Sequence, residues 1–271
     1  MKIVTLLENT AKSPNFKSKH GLSVYIETAK HKLLFDLGPD DTFIHNAKEL
    51  GIDLTIVDAV ILSHGHYDHG GGLLDFLKIN GTAKVYMSEK AFEPHYIKSW
   101  FKKRYIGLDK GLTGNERFIL TGDTLRIDDE LFLFSDVEGQ FGTKSNNVLL
   151  TKTQQGYVRD DFAHEQNLIV ETEGKVALFS GCSHRGVVNI MRTAHKHRPE
   201  IKAVFGGFHL HNPATGRNEP PKVAEKVAEE LLAYETVCYT GHCTGDKAFG
   251  TMHGVLGDKV RRLSTGAEIE I

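Results

Sequence analysis

The sequence predicts an α/β fold in which two sheets pack face to face. Three observations carry that expectation. Short β-rich runs alternate with helix-length periodic runs in both halves of the chain. Apolar runs such as 59–62 and 176–179 end directly in Gly-rich loops that carry histidine or cysteine, the place where α/β folds put chemistry. A length of 271 residues is enough for one large domain or two small ones, and 40% apolar content can supply real cores.

Taken in order, the first half opens with strands at 3–8, 22–27 and 32–35, set apart by Gly21 and an Ala29-Lys30-His31 turn. Asp36-Leu37-Gly38 closes the third. A helix over about 41–50 stops at Gly51, a strand follows at 57–62, a helix at 72–77 and a strand at 84–87. From about 88 to 146 the pattern is less regular. An amphipathic aromatic segment (Phe92, His95, Tyr96, Trp100, Phe101, Tyr105) precedes glycines and short strands at 118–120 and 131–136. This stretch reads as an elaboration inserted between two halves of a single domain spanning 1–271, either a substrate lid or a packing or dimer surface. In the second half, 167–171 and 175–180 form a hairpin around Glu173-Gly174. Helices follow at 187–197, at 223–232 after Pro220-Pro221, and at 247–256; strands fall at 203–206, 237–239 and 267–271.

Charge and composition narrow the function. With 33 basic and 35 acidic residues the net charge is −2, so no global field gathers nucleic acid, and no nucleic-acid partner is expected. The local run Arg192, His195, Lys196, His197 and Arg198 reads as a solvated helix end. Cys182, Cys238 and Cys243 form no disulfide framework. The start of the chain is too soon acidic for a signal peptide, and no apolar run approaches the roughly 20 residues of a membrane helix. The expectation is a soluble cytoplasmic protein acting on a small molecule, with no membrane partner; a homo-oligomer is compatible with this.

The most informative stretch is Ser63-His64-Gly65-His66-Tyr67-Asp68-His69, followed by Gly70-Gly71-Gly72. Alternate residues of an extended segment point the same way, so His64, His66 and Asp68 can converge, and His69 turns in from the Gly-rich loop. Imidazole and carboxylate at this density suit zinc, manganese or iron better than magnesium or calcium, which prefer oxygen shells. Further candidates stand at later strand ends: Cys182 and His184 in Gly181-Cys182-Ser183-His184, His209 in Gly207-Phe208-His209, and His242 in Gly241-His242-Cys243. His164 precedes another strand, beside Asp160 and Asp161.

The H-x-H-x-D-H segment resembles the signature of the metallo-β-lactamase superfamily, and the resemblance extends over nearly the whole chain. It implies a four-layered αβ/βα sandwich with two divalent metal ions at the edge between the sheets, zinc first, manganese or iron as alternatives. His64 and His66 would hold metal one, Asp68 and His69 metal two, and His242 would complete metal two. Asp36 matches a D-x-G aspartate that supports the metal loop from beneath. Many members carry a bridging aspartate where this chain has Cys182. That departure favours His184 as the third ligand of metal one, with His164, which fits the family's sequence order, as the competitor. Cys182 then either bridges as a thiolate or fills a small buried space. The combination of G-C-S-H-R-G, G-G-F-H-L and G-H-C-T-G resembles one branch, the dihydropterin ribofuranosylaminobenzene 5′-phosphate synthase-like proteins.

Two cations about 3.5–4 Å apart make hydroxide available near neutral pH and polarise the oxygen that takes up charge. The expected activity is therefore a metal-dependent hydrolase using a bridging hydroxide, with Asp68 orienting it and His209 either donating to a substrate oxygen or supporting the site from behind. Phosphodiesters or phosphate-bearing small molecules come first as substrates, then lactones and other esters. The alternatives are a pterin-pathway transferase or synthase and, lower, a di-iron redox protein. A tRNA-processing nuclease also ranks low for want of a basic substrate arm.

Overall fold

Val24 and Ile26 leave one face of the strand Ser23–Glu27, Tyr25 leaves the other, and all three are buried. Leu33 and Phe35 against Leu34, and Ala59 and Ile61 against Val60, repeat the pattern on neighbouring strands. Strands buried on both faces require a layer on each side. The computed structural model describes residues 1–99, 102–139 and 141–271, and it supplies those layers. Trp100 and Phe101 of the aromatic segment lie outside the described residues.

The first sheet has seven strands, in the order Glu268–Glu270, Lys2–Leu7, Ser23–Glu27, Lys32–Phe35, Ala59–Ile61, Lys84–Ser88 and Phe118–Thr121. The second also has seven: Val260–Arg262, Val237–Thr240, Ile201–Gly206, Lys175–Phe179, Asn167–Thr172, Leu131–Phe134 and Thr124–Arg126. Between them lies a shared core in which Phe35, Phe179, Phe205 and Tyr239 follow one another at ring separations of 5.8, 4.9 and 4.7 Å. Phe43 and Ala47 of the helix Thr42–Glu49, with Leu73 and Phe76 of Leu73–Ile79, cover the outer face of the first sheet. Helices Val187–His197, Pro221–Leu232 and Asp246–Leu256 cover the second. The expected four-layered sandwich is what forms.

Most expected elements fall within two residues of their predicted bounds. The 167–180 hairpin turns on Glu173 and Gly174, with φ of 50° and 73°, the left-handed pair that matches strand twist. The segment 88–146, expected as one inserted elaboration, is instead divided. Phe118–Thr121 and Leu131–Phe134 lie in the two large sheets, while a separate four-stranded sheet runs Gly156–Arg159, Leu149–Thr153, His95–Ser99, Lys102–Tyr105. The extra sheet thus draws on residues beyond 146. No helix among the described residues is long and apolar enough to cross a membrane.

In each large sheet four neighbouring strands run parallel: from Lys32 to Thr121 in the first, from Lys175 to Arg262 in the second. The carboxyl ends of these strands carry the loops that form the site.

Candidate metal centre

The strand Ala59–Ile61 releases the chain into a bend at His64 and Gly65 before extended backbone at His66; the two histidine rings stand 4.6 Å apart, although the bend interrupts the expected alternation. Asp68 does not continue that alternation. It lies in the first turn of a short helix, Tyr67–Gly70, which turns Asp68 and His69 inward together. The turn is possible because the glycines let backbones touch. A Cβ on Gly71 would stand 2.2 Å from the Pro39 carbonyl oxygen, and one on Gly72 2.6 Å from that of Leu37.

Asp36, fully buried, organises the loop from below. Its Oδ1 accepts the Ser63 N–H at 2.7 Å, and its Oδ2 accepts the Ser63 hydroxyl at 2.7 Å and the His69 Nδ1–H at 2.6 Å. The Ser63 hydroxyl, its proton given to Asp36, accepts in turn from His64 Nδ1 at 2.8 Å. His242 Nδ1 faces the Asn9 amide oxygen at 3.1 Å, and His184 Nδ1 faces that of Asn146 at 3.0 Å. Each of these acceptors holds a proton on Nδ1, leaving the Nε2 lone pair of His64, His69, His184 and His242 directed inward.

Those nitrogens converge. His69 Nε2 is 3.2 Å from His242 Nε2, 3.1 Å from Cys182 Sγ and 3.9 Å from Asp68 Oδ2, and Asp68 Oδ2 is 3.5 Å from His242 Nε2. His64 Nε2 is 3.0 Å from His66 Nδ1, and with His184 they form a buried trio whose donor atoms all lie within 4.8 Å of one another. Two ring nitrogens about 3 Å apart need a proton or a cation between them. Zinc–nitrogen bonds of about 2.0–2.1 Å give tetrahedral edges of roughly 3.3 Å, the spacing seen here. The residues present fit a pair of divalent ions.

The electrostatics agree. Burial, reinforced by neighbouring imidazoles, holds His64, His66 and His184 well below the usual histidine range, so they are neutral donors. Burial acts to raise Asp68, but His69, His20 and His242 more than offset it and keep the carboxylate ionised. His69 is the exception. Burial lowers it, yet Asp36 and Asp68 raise it on balance.

Cys182 stands where both groups meet, sharing donor-atom clusters with His64 and His69, with His184 and His209, and with His242 and Cys243. Burial pushes its thiol well up, so only a bound cation would make it a thiolate. His164 is placed differently. Its Nδ1 accepts the Gly65 N–H at 2.9 Å, and its Nε2 faces Asp160 Oδ1 at 3.4 Å, in a buried group with His66 and His95. His209 lies 4.3 Å from the His184 ring and buries both ring nitrogens without a partner. His209 and His242 both hold left-handed backbone, with φ of 47° and 48°, a cost that non-glycine residues accept mostly at functional sites.

Several site residues escaped the sequence reading. His20 stacks on His242 at 4.5 Å and sets Nε2 3.2 Å from Asp68. Tyr67, Ile97, Arg104, Ile106 and Leu149 wall a cavity of about 320 Å³ whose floor holds His66, Asp68, Cys182, His184, His209 and His242.

Comparison with known proteins supports the same picture. A family profile described as the metallo-beta-lactamase superfamily matches residues 19–146. A 7,8-dihydropterin-6-methyl-4-(beta-D-ribofuranosyl)-aminobenzene-5′-phosphate synthase of Methanocaldococcus jannaschii is 31% identical, over 100% of this chain and 96% of its own length. A crystal structure of a metal-dependent hydrolase of the beta-lactamase superfamily is 29% identical. It superimposes with a TM-score of 0.84 over 100% of this chain and 99% of its own. Zn²⁺-bound PqqB from Methylobacterium extorquens, at 11% identity and TM-score 0.58 over 100% of both chains, shares the fold.

Proposed function

Because this chain belongs to the metallo-β-lactamase superfamily, we propose that it is a hydrolase that works with two divalent transition-metal ions, zinc first among them. His64, His66 and His184 would hold one ion; Asp68, His69 and His242 would hold the other, with Cys182 between them. Bound there, the pair would supply hydroxide near neutral pH and polarise the substrate oxygen on which charge develops.

The chain's own residues do the rest. Asp68, ionised and oriented by His20, is placed to take the proton of the attacking water. His209 faces the same cavity with free ring nitrogens and donates to a substrate oxygen. Arg104, whose guanidinium lies 5.9 Å from the centre of the Tyr67 ring, brings a positive charge to a cavity also lined by Tyr67, Ile97, Ile106 and Leu149 and by the 212–214 loop. That lining suits a substrate with a flat or apolar body and an anionic group, so a phosphodiester or phosphate-bearing small molecule is the substrate class. The 5′-phosphate in the name of the curated relative's product is consistent with it.

The observation that carries this reading is the approach of His69 Nε2 to His242 Nε2, 3.2 Å apart beside Asp68 and Cys182. The test is elemental analysis of the purified protein joined to a screen of phosphodiesters, phosphomonoesters and lactones. Two ions per chain and turnover of a phosphate ester are expected; saturation at one ion would reject the binuclear mechanism. A second reading, a pterin-pathway synthase, has the full-length curated relative in its favour. Two bound ions without hydrolysis of any ester would shift the weight to it.

A further inference from the structure

The net charge of −2 conceals a strong local segregation. The four strands of the extra sheet, His95–Ser99, Lys102–Tyr105, Leu149–Thr153 and Gly156–Arg159, contain Lys98, Lys102, Lys103, Arg104, Lys152 and Arg159 and no carboxylate. The register then sorts them. Tyr96 lies opposite Tyr105 and Leu150, Lys98 opposite Lys103, Lys152 opposite Tyr157, and Leu150 opposite Arg159. Directly opposed residues share a face and alternate residues return to it. One face therefore carries Tyr96, Tyr105 and Tyr157 among Lys98, Lys103, Lys152 and Arg159. The other face, with Ile97, Arg104 and Leu149, lines the cavity.

The outer face is costly as it stands. Lys98 and Lys103 are like charges in direct cross-strand opposition, a destabilising arrangement. The basic helix end elsewhere on the molecule is neutralised, with Arg192 paired to Glu230, His197 near Asp136 and Arg198 paired to Glu171. No such pairing with a carboxylate is found for Lys98, Lys103, Lys152 or Arg159 among the described residues. Two of the three tyrosines are open to solvent, while Tyr96 is half-buried and the Tyr105 hydroxyl donates to the Leu108 carbonyl. Tyr105 is 36% and Tyr157 40% exposed, both set edge-on to Tyr96 at 5.4 and 5.0 Å. Lys103 lies 4.5 Å from the centre of the Tyr157 ring.

We infer that this face binds a single-stranded oligonucleotide, with phosphates on the lysines and arginine and unpaired bases on the tyrosines. A single strand is the partner that offers spaced anions and flat stacking groups together. Acidic peptides answer the charges but not the rings, and a duplex hides its bases; an anionic membrane is the competing occupant that vesicle competition tests. The inference does not depend on the metal chemistry, since the face points away from the cavity.

The experiment is fluorescence anisotropy with labelled single-stranded RNA and DNA of about 12 nucleotides, a length within the usual site sizes. It is run between about 50 and 200 mM salt on the wild type with and without chelator. Binding should survive chelation, which separates this inference from failure of the hydrolase reading. With four cations engaged, log K should fall with log salt at a slope of about −3. The double variant Lys98→Glu, Lys103→Glu should weaken binding at least tenfold and flatten the slope by about 1.4. Tyr157→Ala should weaken it roughly 5- to 150-fold with the slope unchanged, the signature of lost stacking. Metal content and thermal midpoint report that these surface variants remain folded. No binding by the wild type overturns the inference. So does an affinity that the lysine changes leave untouched. Tyrosine variants that bind normally while polyglutamate or phosphatidylserine vesicles compete equally would reduce the face to a general anion surface, and that too overturns it.

Discussion

The Gly65 backbone N–H donates to His164 Nδ1 at 2.9 Å. A neutral imidazole that accepts at Nδ1 carries its proton on Nε2, and in His164 that nitrogen faces the Asp160 carboxylate at 3.4 Å. Neither nitrogen then has a lone pair to give a metal. His184 is the reverse case at Nδ1, where Asn146 holds the proton and leaves the Nε2 lone pair beside His64 and His66. We expect His184→Ala to lose one of two ions and His164→Ala to keep both. Metal content of the two purified variants decides between them, and the opposite pattern would return His164 to the ligand set.

His164 still matters for geometry. Asp160 joins it to His95, whose Nδ1 lies 2.9 Å from Asp160 Oδ2, and this buried group backs His66 and the Gly65 peptide. Loss of His164 should therefore loosen the loop without emptying the site.

Asp36 predicts a different failure. It fixes the His69 tautomer and twice anchors Ser63, all without solvent access. Asp36→Asn presents an N–H to at least one of these donors. Partners of this kind typically cost 10- to 100-fold in metal affinity when changed, and we expect about that loss for the ion at His69. Competition with a chromophoric chelator measures it; an unchanged affinity would mean that packing alone orients His69.

His31 supplies a pH test remote from the candidate metal centre. It joins the two halves, with Nδ1 3.1 Å from Asp58 and Nε2 2.5 Å from Asp128. Burial lowers it, but hydrogen bonds to Asp128 and Asp58 outweigh this and raise it above the ordinary histidine value. The folded state thus holds the proton more tightly than the unfolded chain. The stabilisation is complete below the unfolded value of about 6.5 and is lost as pH climbs through the raised folded value. The group is partly exposed, so the effect should be about 1 kcal/mol or less. Urea midpoints of wild type and His31→Gln should converge at alkaline pH and separate below neutrality; parallel curves would remove His31 from the linkage.

How much of this could be read beforehand follows from where each residue sits in the chain. His64, His66, Asp68 and His69 are contiguous at the end of one apolar strand, so their convergence needs little tertiary information. Cys182, His184, His209 and His242 each stand at a strand's carboxyl end and were legible as candidates. His20, Tyr67 and Arg104 were not, because what brings them in is packing between elements distant in sequence. His20 stacks on a residue in the other half of the chain, and Arg104 reaches the cavity only through the register of the extra sheet. The helical turn at Tyr67–Gly70 was missed for a local reason. Extended alternation and a helical start both bring Asp68 inward, and the close approach of Gly71 to Pro39 selects the second.

Asp68 gives the sharpest test of the chemistry. Its Oδ2 lies 3.2 Å from His20 Nε2, 3.5 Å from His242 Nε2 and 3.9 Å from His69 Nε2, so one carboxylate oxygen touches the whole second half of the site. Asn in its place keeps the size and some of the hydrogen bonding, but it carries no charge and is a poor proton acceptor. Asp68 is largely buried in a loop braced by Asp36 and the glycines, and the fold should survive the change. We expect Asp68→Asn to lose about 10²–10⁴-fold in kcat, the range for a positioned acid or base, with the ion at His69 and His242 bound more weakly. Assays at saturating metal separate the two effects. Recovery of full turnover once the variant is metal-loaded would leave Asp68 as a ligand only and take it out of proton transfer.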